Sequence, residues 1–155
     1  DPRIYNAKDI VNEVKKREYY RPFACTVMLE HAHDYFEMLQ LPESPWMSFA
    51  IQCKPKALRD IPTLVHADNT CRIQTVTEEQ NKNYYNLIKG FYERTGVPII
   101  FNTSFNLGGE AICETVYDAI DTCNRSMINH LYVPEDQEIE IPYECIRDKT
   151  EHIPD

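Results

Sequence analysis

The sequence predicts an α/β or α+β domain built around one mixed sheet. Strand-like and helix-like runs follow one another along the 155 residues, 43% of the residues are hydrophobic, and a continuous apolar run lies at residues 97–101. Strands and helices in mixed order favour a sheet covered by helices. A short unbroken apolar run is typical of a strand that is buried on both faces. The length fits a single domain with a sizeable core.

The individual elements follow from residue spacing and from turn residues. Helices are predicted over residues 7–16, 31–39 and 78–95 and again after Thr115, where apolar residues recur at helical spacing. Strands are predicted over residues 23–29, 47–53, 71–76, 97–101 and 130–133. The segment 54–70 contains two prolines and a polar turn, and it is predicted to be irregular.

The predicted helices have capping residues at their ends. Asn6 is a predicted N-cap of the first helix, and Thr77 with Gln80 predicts a capping box before the helix at 78–95. Gly96 follows that helix as a natural stop, and Thr115 is expected to cap the last helix.

The net charge is -9, and the acidic residues crowd into a predicted tail at residues 134–155. General binding of nucleic acid needs clustered Lys and Arg, so we expect no nucleic-acid partner. No run approaches the roughly 20 apolar residues of a membrane-spanning helix, and the first residues show no signal-peptide region. We therefore expect no membrane contact and a cytoplasmic location.

Neither cysteines nor histidines indicate a metal site. The six cysteines include no C-x-x-C pair, so reduced, buried thiols are expected. His31 and His33 open a predicted helix, where side chains two residues apart point in different directions. We predict that this chain holds no metal.

Polar and basic residues gather around the apolar strands. Asn102 and Ser104 follow the run 97–101, and their amide and hydroxyl groups could bind a phosphate or carbamoyl group. A polar turn without a ligand explains them equally well. Arg72 begins an apolar strand, where a cation needs a partner or an anionic ligand. Lys15 and Arg21 lie in a basic segment that a solvated helix end would also explain.

Four ordered blocks lie between residue 1 and residue 106. They read D-P-R at residues 1–3, K-K-R-E-Y-Y-R-P-F-A at 15–24, H-A-D-N-T-C-R-I-Q-T-V at 66–76 and R-T-G-V-P-I-I-F-N-T-S-F-N at 94–106. In this order they resemble motifs of the carbamoyltransferases of the NodU/CmcH type, which modify nodulation factors and antibiotics. Asn69 stands where the family has glycine.

The resemblance implies a YrdC-like fold, a twisted mixed sheet flanked by helices, present as a partial domain over residues 1–155. It implies that the domain binds carbamoyl phosphate, and ATP as co-substrate, and forms carbamoyl-adenylate. By position, the residues that would contact carbamoyl phosphate and act in catalysis are Arg21, Arg72, Asn102 and Ser104. Lys15 falls where the family contacts ATP, and Arg17 with Glu18 is expected to form a supporting pair.

The resemblance also implies a separate amino-terminal domain of the actin-like ATPase superfamily. That domain would carry a metal and pass the carbamoyl group to a hydroxyl acceptor. Because it and a further phosphate-site arginine of the family would lie upstream of residue 1, we expect this chain alone to be inactive. A non-catalytic nucleotide- or phosphate-binding module, or a protein-interaction module, is the alternative function.

Overall fold

A four-stranded mixed sheet lies in the first of the two units into which the chain divides, Asp1–Ser104 and Phe105–Asp155. A computed structural model of the protein describes residues 1–128 and 130–133. The strands are β1 (Ala24–Met28), β2 (Ala50–Gln52), β3 (Thr70–Val76) and β4 (Ile99–Asn102), in the order β2-β3-β1-β4. β1 is parallel to β3 and antiparallel to β4, and β2 is antiparallel to β3. The predicted α/β class with one mixed sheet is confirmed.

Helices connect these strands. The described residues form α1 (Ala7–Val14), α2 (Leu29–Tyr35), α3 (Pro55–Asp60) and α4 (Lys82–Thr95) in the first unit and α5 (Val116–Asn124) in the second, with a short 3-10 helix at Pro62–Leu64. The chain passes from β1 to the parallel β3 by way of α2, β2 and α3, and α4 joins β3 to β4. None of the described helices has the length and apolar character that crossing a bilayer would require.

The two faces of the sheet have different surroundings. Side chains alternate between the faces along a strand. Cys25, Val27 and Ile73 lie in the main hydrophobic core, to which the segment between β1 and β3 contributes Ala32, Tyr35, Ala57, Ile61 and Leu64. On the opposite face, Met28 and Val76 pack with Ile88 of α4. The same face continues into a polar region at Thr26 and Gln74, and this polar region is where the candidate site lies.

Local capping explains where the helices begin and end. Gly96 ends α4 in the left-handed conformation with φ 72°, as predicted. Thr115 and Asp118 form a complete capping box for α5. Asn6 does occupy the N-cap position of α1, but its side chain makes no capping hydrogen bond, so that part of the prediction is wrong.

The predicted capping box of the long helix forms, but the helix begins later. Thr77 N donates to Gln80 Oε1 at 3.1 Å, and Gln80 N donates to Thr77 Oγ1 at 3.2 Å. These bonds close a turn that precedes α4. The actual N-cap is Asn81, whose Oδ1 accepts from Tyr84 N at 3.0 Å.

Three predicted boundaries differ from the structure for identifiable reasons. The supposedly irregular segment 54–70 contains α3, because Pro55 occupies the first turn, where a missing N–H costs no hydrogen bond. The strand predicted at 47–53 is shortened to β2, because Met47 has a left-handed backbone with φ 54°. The helix predicted at 31–39 begins at Leu29 and ends at Tyr35, since Phe36 is extended and pairs with Cys53.

Two predictions concern the carboxyl-terminal residues, a strand at 130–133 and an acidic tail at 134–155. Residues 130–133 are described without strand structure, so the last predicted strand is wrong. The acidic tail predicted at 134–155, which includes Cys145, lies outside the described residues.

Candidate functional site

Arg72 and Asn102 lie in one row across the sheet. In the strand register, Arg72 is paired with Ala24, and Ala24 is paired in turn with Asn102. Paired residues on neighbouring strands point to the same face, and two strand spacings separate the two Cα atoms by roughly 10 Å. Ala24 between them contributes only a methyl group. The start of β3 and the end of β4 therefore present a cation and an amide side by side.

Arg17 lies near enough to Arg21 and Arg72 to be affected by both charges, and we call these three residues the arginine cluster. Burial, the larger effect, and the positive charge of Arg21 lower the pKa of Arg17, and Arg72 acts in the same direction. The negative charge of Glu18 opposes them. Mutual repulsion of this kind is relieved when an anion binds between the cations. An anionic group bound there would therefore relieve the repulsion that acts on Arg17.

Packing holds Arg17 in place. Its guanidinium carbon lies 4.5 Å from the centroid of the Phe23 ring, and Nη2 donates to the Pro22 carbonyl at 3.2 Å. Its Nε is buried and has no hydrogen-bond partner among the described residues. The expected pairing of Arg17 with Glu18 is wrong, because the hydrogen bond of Glu18 goes to Arg21.

Arg21 is more loosely held than Arg17. Its Nη1 lies 3.4 Å from Glu18 Oε2, and both side chains are more than half exposed. Exposed ion pairs of this kind contribute little to stability. The guanidinium of Arg21 can therefore leave Glu18 for an anionic ligand at small cost.

Lys15 and Ser104 are in direct contact. The Lys15 side chain follows α1 and is 7% exposed, and its Nζ donates to the main-chain carbonyl of Ser104. The same nitrogen lies 3.5 Å from Ser104 Oγ. A buried ammonium must be hydrogen-bonded. Lys15 thus ties the end of α1 to the segment that follows β4.

The structure relates the predicted site residues to one another in three ways. The arginine cluster contains Arg21 and Arg72, Lys15 lies against Ser104, and Asn102 shares a sheet face with Arg72. Within the described residues, no hydrogen bond joins either arginine to Asn102. That all of them contact one ligand stays a prediction.

A network of polar side chains surrounds Asn102 on the sheet face. Asn102 Nδ2 donates to Thr26 Oγ1 at 2.8 Å and to Gln74 Oε1 at 2.6 Å. Thr26 Oγ1 donates to Gln74 Oε1 at 3.0 Å and accepts from the Tyr84 hydroxyl at 2.8 Å. Gln74 Nε2 donates to the Pro45 carbonyl at 2.9 Å. Thr26, Gln74 and Tyr84 did not stand out in the sequence, where only the polar alternation of Arg72 and Gln74 along β3 hinted at them.

A cavity of about 400 Å³ elsewhere in the first unit has the opposite character. It is lined by Glu30, Thr77, Glu78, Glu79 and Tyr85 and by none of the predicted site residues. Tyr85 donates a hydrogen bond to Glu30, and this bond raises the pKa of Tyr85 to about 12. The surrounding carboxylates disfavour an anionic ligand.

The two histidines of α2 lie beside an aspartate or in solvent. His31 Nδ1 lies 3.4 Å from Asp34 Oδ2, and His33 is exposed. Across residues 1–128 and 130–133, no three potential metal ligands come together. That this chain holds no metal stays a prediction.

Comparison with known proteins gives consistent matches over most of the chain. Residues 1–137 match the family model described as "Carbamoyltransferase C-terminus". The chain is 43% identical over 127 residues to "Nodulation protein NolNO" of Sinorhizobium fredii, a match that covers 79% of this chain and 18% of that protein. It is 41% identical over 127 residues to "Nodulation protein NolO" of Bradyrhizobium diazoefficiens, covering 79% of this chain and 23% of that protein.

A third relative is "Nodulation protein U" of Rhizobium tropici, 34% identical over 125 residues, with 81% of this chain and 21% of that protein covered. The chain therefore spans about a fifth of the length of these relatives. The family match covers more than half of the chain and includes every residue of the candidate site. The chain belongs to the carbamoyltransferase family, and it corresponds to the carboxyl-terminal part of the family's members.

Proposed function

We propose that this chain supplies the carbamoyl-phosphate site of an ATP-dependent O-carbamoyltransferase. Membership of the family supports carbamoyl transfer in general. The observation that carries the finer proposal is the row that places Arg72 and Asn102 on one sheet face, with the arginine cluster at one end. A cation beside an amide suits a ligand that has a phosphate at one end and a carbamoyl group at the other.

The cations have a clear electrostatic role in this proposal. Carbamoyl phosphate and ATP repel each other, and fixed positive charges offset that repulsion and stabilise charge that develops on the phosphates. Arg21 and Arg72 suit the phosphate of carbamoyl phosphate, because guanidinium binds phosphate through two parallel hydrogen bonds. The Ser104 hydroxyl would contact the same ligand. Lys15, which lies against Ser104, would act on the ATP phosphates as a point charge.

The proposed reaction consumes one water molecule. Water takes the phosphoryl group of carbamoyl phosphate, which leaves carbamate and inorganic phosphate. A carbamate oxygen then attacks the α-phosphorus of ATP, and pyrophosphate leaves with the electron pair of the broken P–O bond. The product is carbamoyl-adenylate. An acceptor hydroxyl attacks its carbonyl carbon, loses its proton to a base, and displaces AMP.

The acceptor step belongs to the rest of the proposed enzyme. We propose that an amino-terminal actin-like ATPase domain, carrying a metal, positions the hydroxyl acceptor, and that the whole protein works in the cytoplasm. Without that domain no hydroxyl lies near the activated carbamoyl group, and the advantage of holding both reactants together is lost. We therefore propose that the 155-residue chain binds ligand without completing the transfer.

The first test measures ligand binding. Calorimetry with freshly dissolved carbamoyl phosphate should show Arg72→Ala weakening the affinity by about tenfold to a hundredfold, since a charged hydrogen bond is lost. Arg94→Ala is the matched control, because Arg94 is an exposed arginine in the last turn of α4. Equal affinities for the Arg72→Ala variant and the unchanged chain would place the anion elsewhere.

The second test measures turnover. This chain, joined to the amino-terminal part of the Bradyrhizobium NolO relative, should release pyrophosphate when given carbamoyl phosphate and ATP. The chain alone should not, and Arg72→Ala in the joined protein should lower the rate by about 100-fold or more. Rapid release by the chain alone would refute the division of labour. Binding without turnover in the joined protein would favour the non-catalytic module.

A further inference from the structure

The direction in which Asn102 presents its amide is fixed by a chain of hydrogen bonds that begins at a main-chain carbonyl. The Pro45 carbonyl can only accept, so the group that faces it at 2.9 Å must be Gln74 Nε2. Gln74 Oε1 consequently faces the other way, toward Thr26 and Asn102. The orientation of Gln74 is therefore not interchangeable.

The orientation of Gln74 determines that of Asn102. Gln74 Oε1 is an acceptor with two lone pairs, and it receives the Thr26 hydroxyl proton at 3.0 Å and Asn102 Nδ2 at 2.6 Å. Thr26 has given its one proton to Gln74, so toward Asn102 it can only accept, which it does at 2.8 Å. Thr26 Oγ1 and Gln74 Oε1 both act as acceptors toward Asn102, so its NH₂ group must face these two atoms.

Asn102 is left with its carbonyl oxygen as the group available to a ligand. Oδ1 accepts no hydrogen bond from the described residues, and the side chain is only half-buried. An acceptor repels phosphate oxygens and needs an N–H donor. We infer that Asn102 recognises the NH₂ end of carbamoyl phosphate, and that Gln74 and Thr26 are positioning residues that make the site selective for a carbamoyl group.

This inference deepens the proposed function and rests on it. Carbamoyl phosphate and acetyl phosphate have the same phosphate group and differ in an NH₂ against a methyl group. When acetyl phosphate binds, its methyl group displaces water from Asn102 Oδ1 but donates no hydrogen bond to that oxygen. The loss of this hydrogen bond weakens the binding of acetyl phosphate. A site that is built to bond an N–H rejects the analogue that lacks it. Arg72 holds the phosphate of either ligand and so contributes nothing to the choice between them.

The decisive measurement is the ratio of the two affinities on the 155-residue chain. We expect carbamoyl phosphate to bind at least about tenfold more tightly than acetyl phosphate, with inorganic phosphate as the reference for the anion site alone. This comparison needs no variant. Equal binding of the two acyl phosphates would overturn the inference and leave the anion site standing. If none of the three ligands binds, the proposed function falls as well.

Two substitutions of Gln74 distinguish the effect of the Asn102 amide orientation from the effect of a charge at position 74. Gln74→Met removes the acceptor, so the Thr26 hydroxyl is released to donate to Asn102 Oδ1, and the amide is expected to turn over. The affinity ratio should then fall to about 1, since the preference depended on that one hydrogen bond. Gln74→Glu keeps an acceptor for both Thr26 and Asn102. It should weaken both ligands through its charge while it preserves most of the ratio. An unchanged ratio in a folded Gln74→Met variant would refute the role of Gln74.

Discussion

At the scale of single residues, the like charges of the arginine cluster disfavour the folded protein when no anion is bound. Arg17, Arg21 and Arg72 bear like charges, and burial adds to the cost for Arg17, as its lowered pKa indicates. Removing one charge from such a group relieves repulsion in the protein without ligand. The same charge becomes favourable once a phosphate binds. Stability with and without an anion should therefore respond in different ways.

Thermal unfolding with and without phosphate can measure both effects on stability. Phosphate at 100 times its dissociation constant should stabilise the unchanged chain by about 2.7 kcal/mol, which for a chain of this size raises the melting temperature by roughly 5–10 °C. In Arg72→Ala, the melting temperature without phosphate should be equal or higher, and the rise with phosphate should be mostly lost. Sodium chloride at matched ionic strength is the control. A full phosphate-induced rise in Arg72→Ala would contradict the arrangement.

The sequence was informative about single residues only where the signal was local. Arg72 begins an apolar strand and Asn102 ends one, so both were identifiable in advance. The network around Asn102 was not, because Thr26 and Gln74 lie 48 residues apart and Gln74 and Asn102 lie 28 apart. Their contact depends on the register of three strands, which local spacing does not determine.

At the scale of elements, helix α4 contains two glycines with opposite requirements. Gly96 ends the helix with φ 72°, a left-handed backbone that glycine adopts without steric cost. Gly90 lies inside the helix, and a Cβ added there would meet nothing within 4 Å. One glycine is therefore needed for its backbone, and the other weakens the helix.

Alanine at these two positions should have opposite effects. Gly96→Ala should lower the free energy of unfolding by about 1–2 kcal/mol, the cost of a left-handed alanine. Gly90→Ala should raise it by about 0.5–1 kcal/mol, because alanine favours the helical backbone. Urea denaturation of the two variants beside the unchanged chain provides the measurement. A shift of the same sign in both would show that the backbone does not govern the effect.

The ends of helices were predictable where a capping residue lies directly beside the helix in the sequence. Gly96 and Thr115 are such signals, and both predictions hold. Met47 and Asn69 have left-handed backbones with φ 54° and 61°. Only Asn69 could have been anticipated, because asparagine tolerates this conformation better than other residues that carry a side chain. Nothing in the identity of Met47 indicates its turn, so the beginning of β2 was misplaced.

At the scale of the whole molecule, thiols from separate segments meet in the main core. The sulfur atoms of Cys25 and Cys71 are 3.6 Å apart, and Cys53 is buried in the same core. Burial, with Cys71 adding to it, raises the pKa of Cys25 well above its usual value. Burial raises the pKa of Cys53 to about 12. The thiolate forms of Cys25 and Cys53 are therefore disfavoured in the folded protein.

Alkaline pH should destabilise the fold for this reason. A raised pKa in the folded state means that the stabilisation is complete below the unfolded thiol pKa of 9.0 and is lost as pH rises toward about 12. The urea midpoint should fall across this range, and less steeply in Cys53→Ala. At pH 8, iodoacetamide should label Cys113 before Cys25, Cys53 and Cys71, as mass spectrometry can show. Rapid labelling of Cys25 in the native protein would contradict its burial.

The hydrogen bond from Gln74 to the Pro45 carbonyl has a consequence for genetics. The accepting oxygen belongs to the main chain, so every residue type at position 45 supplies one. What proline adds is a fixed φ, which helps to aim that oxygen. A survey of single substitutions at position 45 would therefore record mild effects and rank the position as dispensable. A deletion or insertion within residues 41–49 would move the oxygen and change which acyl phosphate the protein prefers. Selectivity in such a lineage could thus drift through loop length, while each residue of the site stayed the same.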